Sequence, residues 1–145
     1  MRMSKKTEYA VHSLVIIACG GGNHIQLEEL AEKQNISKSY LAKVMQELSK
    51  TGIIKASPGV NGGYYMGKEP SCITLADVFR IFEDTPKSVC CQFANRNCDA
   101  EGVCEITQRV SKGFEKLYEE LEKTTFADLV VKADISRFAL NWLKG

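Results

Sequence analysis

From Gln26 to Met66 the chain runs QLEELAEKQ (26–34), NISKSYLAKVMQELSKTG (35–52) and IIKASPGVNGGYYM (53–66). The first piece predicts a short helix over 26–34 with Leu27, Leu30 and Ala31 inward, and Asn35-Ile36 turns the chain. Ser37 then caps a second helix that runs to Lys50 and stops at Gly52, a residue suited to a left-handed helix end. Leu41, Val44, Met45 and Leu48 recur at i, i+3, i+4 and i+7, so one stripe of this helix is buried. The opposite side carries Ser39, Lys43, Gln46 and Lys50, with Ala42 at its edge. A polar, basic face with few bulky groups is either an ordinary solvated surface or a recognition helix. The third piece decides between them. Ile53–Ala56 predicts a strand, Pro58–Gly63 a glycine-rich turn and Tyr64–Met66 a returning strand. Helix, turn, helix and hairpin in that order describe a winged helix-turn-helix, and with it nucleic-acid binding.

Upstream, residues 4–19 predict a helix capped by Ser4 and stopped by Gly20-Gly-Gly22. Val11, Leu14, Val15 and Ala18 mark its apolar side, broadened by Ile16 and Ile17. Glu8 and His12 lie four apart and so stand one above the other, as a surface pair or as two metal donors.

Downstream, Thr74 and Asp77 open a helix that reaches about Glu83. A long helix is expected from about Ala100 to Lys123. Its residues Val110, Phe114, Leu117 and Leu121 keep the 4-3-4 spacing of a coiled-coil seam, with Val103 and Thr107 at the preceding heptad positions. So long a helix in so short a chain has little of its own chain to pack on, which points to a homodimer. Thr124–Leu129 reads as a further capped turn, and residues 134–143 as a last amphipathic helix through Ile135, Phe138, Leu140, Trp142 and Leu143. The expected architecture is mainly α with a small β-hairpin wing. Residues 1–70 form the winged helix-turn-helix DNA-binding domain. Residues 71–145 carry a cysteine loop at about 88–106, the dimerisation helix at about 100–123 and the C-terminal helix.

Four of the six cysteines, Cys90, Cys91, Cys98 and Cys104, fall within that loop. Seven residues separate Cys90 from Cys98, six separate Cys91 from Cys98, and five separate Cys98 from Cys104. Thiolates suit zinc, copper(I) or iron–sulfur clusters. Structural zinc sites pair cysteines two to four residues apart, and the wider spacing here fits a cluster better than a single tetrahedral ion. Thiol redox chemistry at vicinal Cys90–Cys91 and inert thiols stay open beside that reading. Cys19 and Cys72, each beside apolar residues, are expected to be buried small hydrophobes.

At 145 residues the chain is one domain, or one domain with an arm. Net charge is +1, but residues 1–68 hold nine Lys and Arg against five Asp and Glu, and residues 69–145 hold ten against thirteen. The first half is therefore the one suited to a polyanion. Glu8 and His12 interrupt the apolar run that a signal peptide would need. No stretch reaches the ~18 apolar residues of a membrane span. A cytoplasmic location and no membrane partner are expected.

The opening MRMSKKTEYAV (1–11), the segment ISKSYLAKVM (36–45), the wing Asn61-Gly-Gly-Tyr64 and the cysteine loop together resemble the Rrf-two superfamily of bacterial regulators, over residues 1 to about 130. The resemblance implies a dimeric winged-helix repressor or activator, not an enzyme, that binds double-stranded DNA at a palindromic operator. In many members the loop carries an iron–sulfur cluster. Cys98 and Cys104 then match the last two cysteine ligands, and Cys90 gives the spacing of some NsrR-like members, with Cys91 one residue nearer. Glu8 matches a carboxylate ligand donated by the other subunit in NsrR-like members. Glu8 with His12 matches the pair that RsrR-like members use across the dimer. Thr107 stands where IscR-like members have a histidine ligand, so that set is absent. Mixed ligation of this kind favours [2Fe–2S] over [4Fe–4S].

Ser39 and Lys43 fall at base-contact positions of the family, whereas Ala42 replaces a carboxylate reader and Pro58 a wing arginine. The DNA-facing residues are then Ser37, Lys38, Ser39, Tyr40, Lys43 and Gln46 on the helix, with Lys55, Asn61, Gly62 and Gly63 around the wing. Gln46 suits an adenine and Lys43 a guanine or phosphate. The cluster would sense redox state, nitric oxide or iron–sulfur status. The alternatives are a cluster-free, CymR-like regulator controlled by a protein partner or by thiol oxidation, and a thiol redox protein.

Overall fold

In the computed structural model, residues 2–83 and 104–132 are described. The expectations for Cys90, Cys91, Cys98, Val103 and the 134–143 helix lie outside them. Helix α1 (Lys5–Cys19) is followed by α2 (Leu27–Gln34), α3 (Lys38–Lys50), the antiparallel strands β1 (Ile54–Ser57) and β2 (Gly63–Met66), a 3-10 turn at Pro70–Cys72, and α4 (Leu75–Phe82). Beyond residue 103 come α5 (Glu105–Glu122) and α6 (Phe126–Lys132).

The caps explain the boundaries. Ser4 accepts from the Thr7 amide at the head of α1, and Ser37 accepts from the Tyr40 amide at the head of α3. Each satisfies a helix N–H with no intrahelical partner, typically worth ~1 kcal/mol. Asn35 adopts a left-handed conformation (φ 51°) between α2 and α3, and Gly52 (φ 78°) does so after α3. Thr74 and Asp77 exchange hydrogen bonds reciprocally at the start of α4, and Thr125 and Asp128 do the same at the start of α6. These two helix starts lie side by side, because the Leu75 amide donates to the Thr124 carbonyl (3.0 Å) and the Phe126 amide to Ile73 (2.9 Å).

One core joins these elements. It takes Ala10, Leu14 and Ile17 from α1, Leu30 and Ala31 from α2, and Leu41, Val44, Met45 and Leu48 from α3. Ile25, Ile53, Ile54, Ile73, Val78 and Phe126 complete it. The buried stripe of α3 is the one its periodicity predicts. That of α1 is rotated: Ala10, Leu14 and Ile17 are fully enclosed while Val11, Val15 and Ile16 are half-buried. α1 is packed by α2, α3, α4 and α6 at once, so no single-sided pattern describes it. Its burial extends to two polar side chains, Thr7 and Ser13. Ser13 accepts from Gln34 Nε2 at 2.8 Å.

Two expectations need correction. Cys104 is in an extended conformation (φ −66°, ψ 113°) as the N-cap, so the long helix begins at Glu105 rather than near Ala100. Cys72 is exposed, because the 3-10 turn closed by the Cys72 amide on Glu69 (2.8 Å) sends Ile73 into the core instead. Cys19 is half-buried, and burial pushes its thiol up, as an inert cysteine requires.

Candidate DNA interface and metal-ligand positions

The outer side of α3 presents Ser39, Lys43 and Gln46, all exposed, with Ser37 at its capped N-terminus. Lys38 is also exposed, but its ammonium pairs with Glu28 of α2, and that hydrogen bond holds the Glu28 carboxyl below its ordinary value. The cation nearest the helix start is thus shared with a carboxylate, while Lys43 sits where the helix surface faces solvent. Tyr40 is half-buried and meets Tyr9 of α1 edge-on, with ring centroids 5.8 Å apart. Lys6 of α1 and Glu47 of α3 add an ion pair at 3.2 Å. Tyr40 therefore serves α3 as a packing anchor on α1 as well as a neighbour of its exposed polar face.

The wing is more than a two-stranded hairpin. Ile25 exchanges both backbone hydrogen bonds with Tyr64 (2.9 and 2.8 Å), laying the lead-in to α2 along β2. Gln26, at the cap position of α2, makes no side-chain cap. Its amide Nε2 instead donates to the carbonyls of Val60 (3.0 Å) and Gly62 (2.9 Å), which pins the wing loop. Gly63 is needed at φ 133°, where a Cβ would come within 2.6 Å of the Ile25 carbonyl oxygen. Val60 stands at the tip at 95% exposure, beside exposed Asn61. Lys55 is exposed on β1, and His24 stacks on Tyr65 of β2 at 4.8 Å between centroids. The result is a basic, polar helix face flanked by a fixed loop of small residues, an arrangement suited to a major groove and its neighbouring backbone. Sequence reasoning missed Gln26. Its one visible trace is a glutamine where a helix of this kind would carry Ser, Thr, Asp or Asn.

Glu8 and His12 occupy successive turns of α1, both half-buried. Burial pushes the His12 imidazole down, opposed in part by the Glu8 carboxylate, leaving it below its ordinary 6.5. The neutral ring is the form that ligates a metal. Cys104 caps α5. Hydrogen bonds from the Thr107 backbone and side chain and from the Ile106 amide hold its thiol below its ordinary range, favouring the thiolate. Among the described residues, no three His, Cys, Asp or Glu side chains converge on one point, so Glu8, His12 and Cys104 of a single chain do not form a site by themselves. The donor types fit an iron–sulfur centre completed by further ligands.

On α5 only Tyr118 is buried. Ile106 (76% exposed) and Val110 (41%) lie open, and Phe114, Leu117 and Leu121 are half-buried, so the apolar seam is only partly covered by the described part of the chain. None of the described helices is long and apolar enough to cross a membrane.

The family described as Rrf2, iron-dependent transcriptional regulator, matches residues 3–132. The chain is 29% identical over 143 residues to the HTH-type transcriptional regulator NsrR of Bacillus licheniformis, covering 97% of this chain and all of that protein. It is 30% identical over 146 residues to protein aau3 of Rhizobium meliloti, covering 100% and 92%. Among solved structures it resembles CymR, the global cysteine regulator of B. subtilis, with a TM-score of 0.71 and 28% identity over 92% of this chain and 99% of that one. It also resembles IscR of T. potens, with a TM-score of 0.72 and 26% identity over 100% and 97%.

Proposed function

This chain belongs to the Rrf2 family of iron-dependent transcriptional regulators, and on that premise we propose that it is a homodimeric, cytoplasmic repressor that senses redox or nitrosative change through an iron–sulfur centre shared between subunits. It is a winged-helix transcriptional regulator and not an enzyme. The ligands in this reading are Glu8 and His12 of one chain with Cys98 and Cys104 of the other, Cys90 and Cys91 being the reserve thiols. Four protein ligands satisfy two irons at two apiece, which favours [2Fe–2S].

The observation that carries the reading is the position of Glu8 and His12 on the helix that holds the recognition helix. Lys6 and Tyr9 of the same α1 contact Glu47 and Tyr40 of α3. A ligand pair there biases the reading head directly. When bound, the centre supplies a group that oxidation, reduction or nitric oxide can alter. The chain's own residues do the rest. Cys104 presents a thiol held below its ordinary range, His12 an imidazole that burial pushes down, and α1 carries any shift of Glu8 and His12 to α3, giving the differential interaction that a switch requires. Ser39, Lys43 and Gln46 read a palindromic operator from the two subunits.

Anaerobically purified protein should absorb in the visible, and Cys104→Ala should abolish that absorbance. A colourless wild type would remove the cluster. A second reading then stands on the likeness to the cysteine regulator CymR and on the acidic thiol of Cys104: the same DNA-binding dimer, controlled through thiol oxidation or a protein partner.

A further inference from the structure

Glu83 closes α4, with its amide donating to the Phe79 carbonyl at 2.8 Å. Its carboxylate does not point to solvent alone. Oε1 accepts from the Ser4 amide at 2.7 Å and from the Thr7 hydroxyl. Thr7 is completely enclosed, and Ser4 is the N-cap of α1, its own Oγ lying 2.9 Å from Thr7 Oγ1. The last turn of α4 thus supplies an anion to the positive end of α1, where unpaired N–H groups favour it.

The same turn reaches the other way. Arg80, three residues before Glu83, pairs with Glu122 of α5 and lies over the Tyr118 ring, 5.2 Å from its centroid. Tyr118 is the buried residue of α5. One turn of α4 therefore grips both α1 and α5, and α1 grips α3 through Lys6–Glu47 and Tyr9–Tyr40. We propose that Glu83 is a positioning residue for DNA recognition, setting the recognition helix of each subunit at a fixed disposition to the seam helix α5 by clamping Ser4 and Thr7 to the α4 turn that Arg80 holds on α5. The inference rests on the reading of this chain as a DNA-binding dimer joined along α5. It adds what fixes the separation and angle of the two reading heads.

The test is half-site spacing. An operator is selected from random-sequence DNA by wild-type protein. Affinities are then measured for it and for a version with one base pair added between half-sites, which displaces one of them by about 3.4 Å along the duplex. Wild type should bind the lengthened operator at least about tenfold more weakly, since dimer geometry dictates half-site spacing. Glu83→Ala should bring the two affinities to within about twofold of each other while the protein stays dimeric by light scattering. Glu83→Gln, whose amide oxygen can still accept from Ser4 and Thr7, should keep the wild-type ratio. If Glu83→Ala keeps the wild-type ratio and only melts at a lower temperature, the contact is a helix cap and nothing more, and the inference is overturned. If wild type selects no two-part operator at all, the underlying dimer reading fails instead.

Discussion

At the scale of single residues, the polar side chains divide into those that face DNA on the proposed reading and those that hold other side chains in place. Gln46 and Lys43 are exposed on α3 and belong to the first group. Gln46→Ala should lose ~1–3 kcal/mol of operator binding and relax specificity at one base pair, whereas Lys43→Ala should weaken all sequences more evenly and lower the salt dependence. Titrations of both variants on operator and random DNA separate the two behaviours, and unchanged binding by both would refute the α3 assignment. Glu83 belongs to the second group. Burial pushes its carboxyl up, but the hydrogen bonds from Thr7 and Ser4 outweigh that and hold it below the ordinary 4.5. With the folded value beneath the unfolded one, its contribution to stability is fully present above pH 4.5 and is lost as pH falls through the lower folded value. Urea unfolding of wild type should therefore lose stability through that acid range more steeply than Glu83→Gln, and parallel curves would show that the clamp has no ionic part.

At the scale of elements, what was legible in the sequence is what local chemistry decides. Ser4, Ser37 and the Thr74–Asp77 pair announce their helices because each satisfies orphan amides next to it in the chain. The start of α5 was misplaced because a heptad pattern runs on through residues that need not be helical, and a cysteine cap carries no signal. Cys72 was misjudged because its apolar neighbour Ile73, not Cys72, takes the inward position after the 3-10 turn. The Gln26 link to the wing and the Glu83 link to α1 join residues 34 to 79 positions apart, which no local pattern reveals. Val110, Phe114, Leu117 and Leu121, expected from their spacing to form a seam, are exposed or half-covered on α5. Changing Phe114 and Leu121 together to Glu places charges on that seam. The double variant should sediment as a monomer and lose operator binding with it. A dimer in light scattering would mean that the seam is not the subunit contact.

At the scale of the whole molecule, the candidate ligands were legible only as residue types. On the proposed reading they meet across two chains, which is a property of the assembly. Mixed dimers test it. Combining a Glu8→Ala/His12→Ala chain with a Cys98→Ala/Cys104→Ala chain should restore one intact site of two, seen as half the wild-type visible absorbance per dimer. Mixed dimers without iron, alongside a coloured wild type, would place the centre within one chain.

The tether between Ile25, Gln26 and the wing has a thermodynamic consequence. A loop that orders only on meeting its target buries fresh surface at that moment, and calorimetry records a large negative heat-capacity change. Here Val60 and Gly62 are held by the Gln26 amide before any encounter, and Ile25 has already been laid along β2. On the proposed reading the loop meets DNA with its ordering entropy largely settled at folding, as in any preorganised binder. Its heat of association should accordingly vary little with temperature, and Gln26→Leu should make that variation steeper.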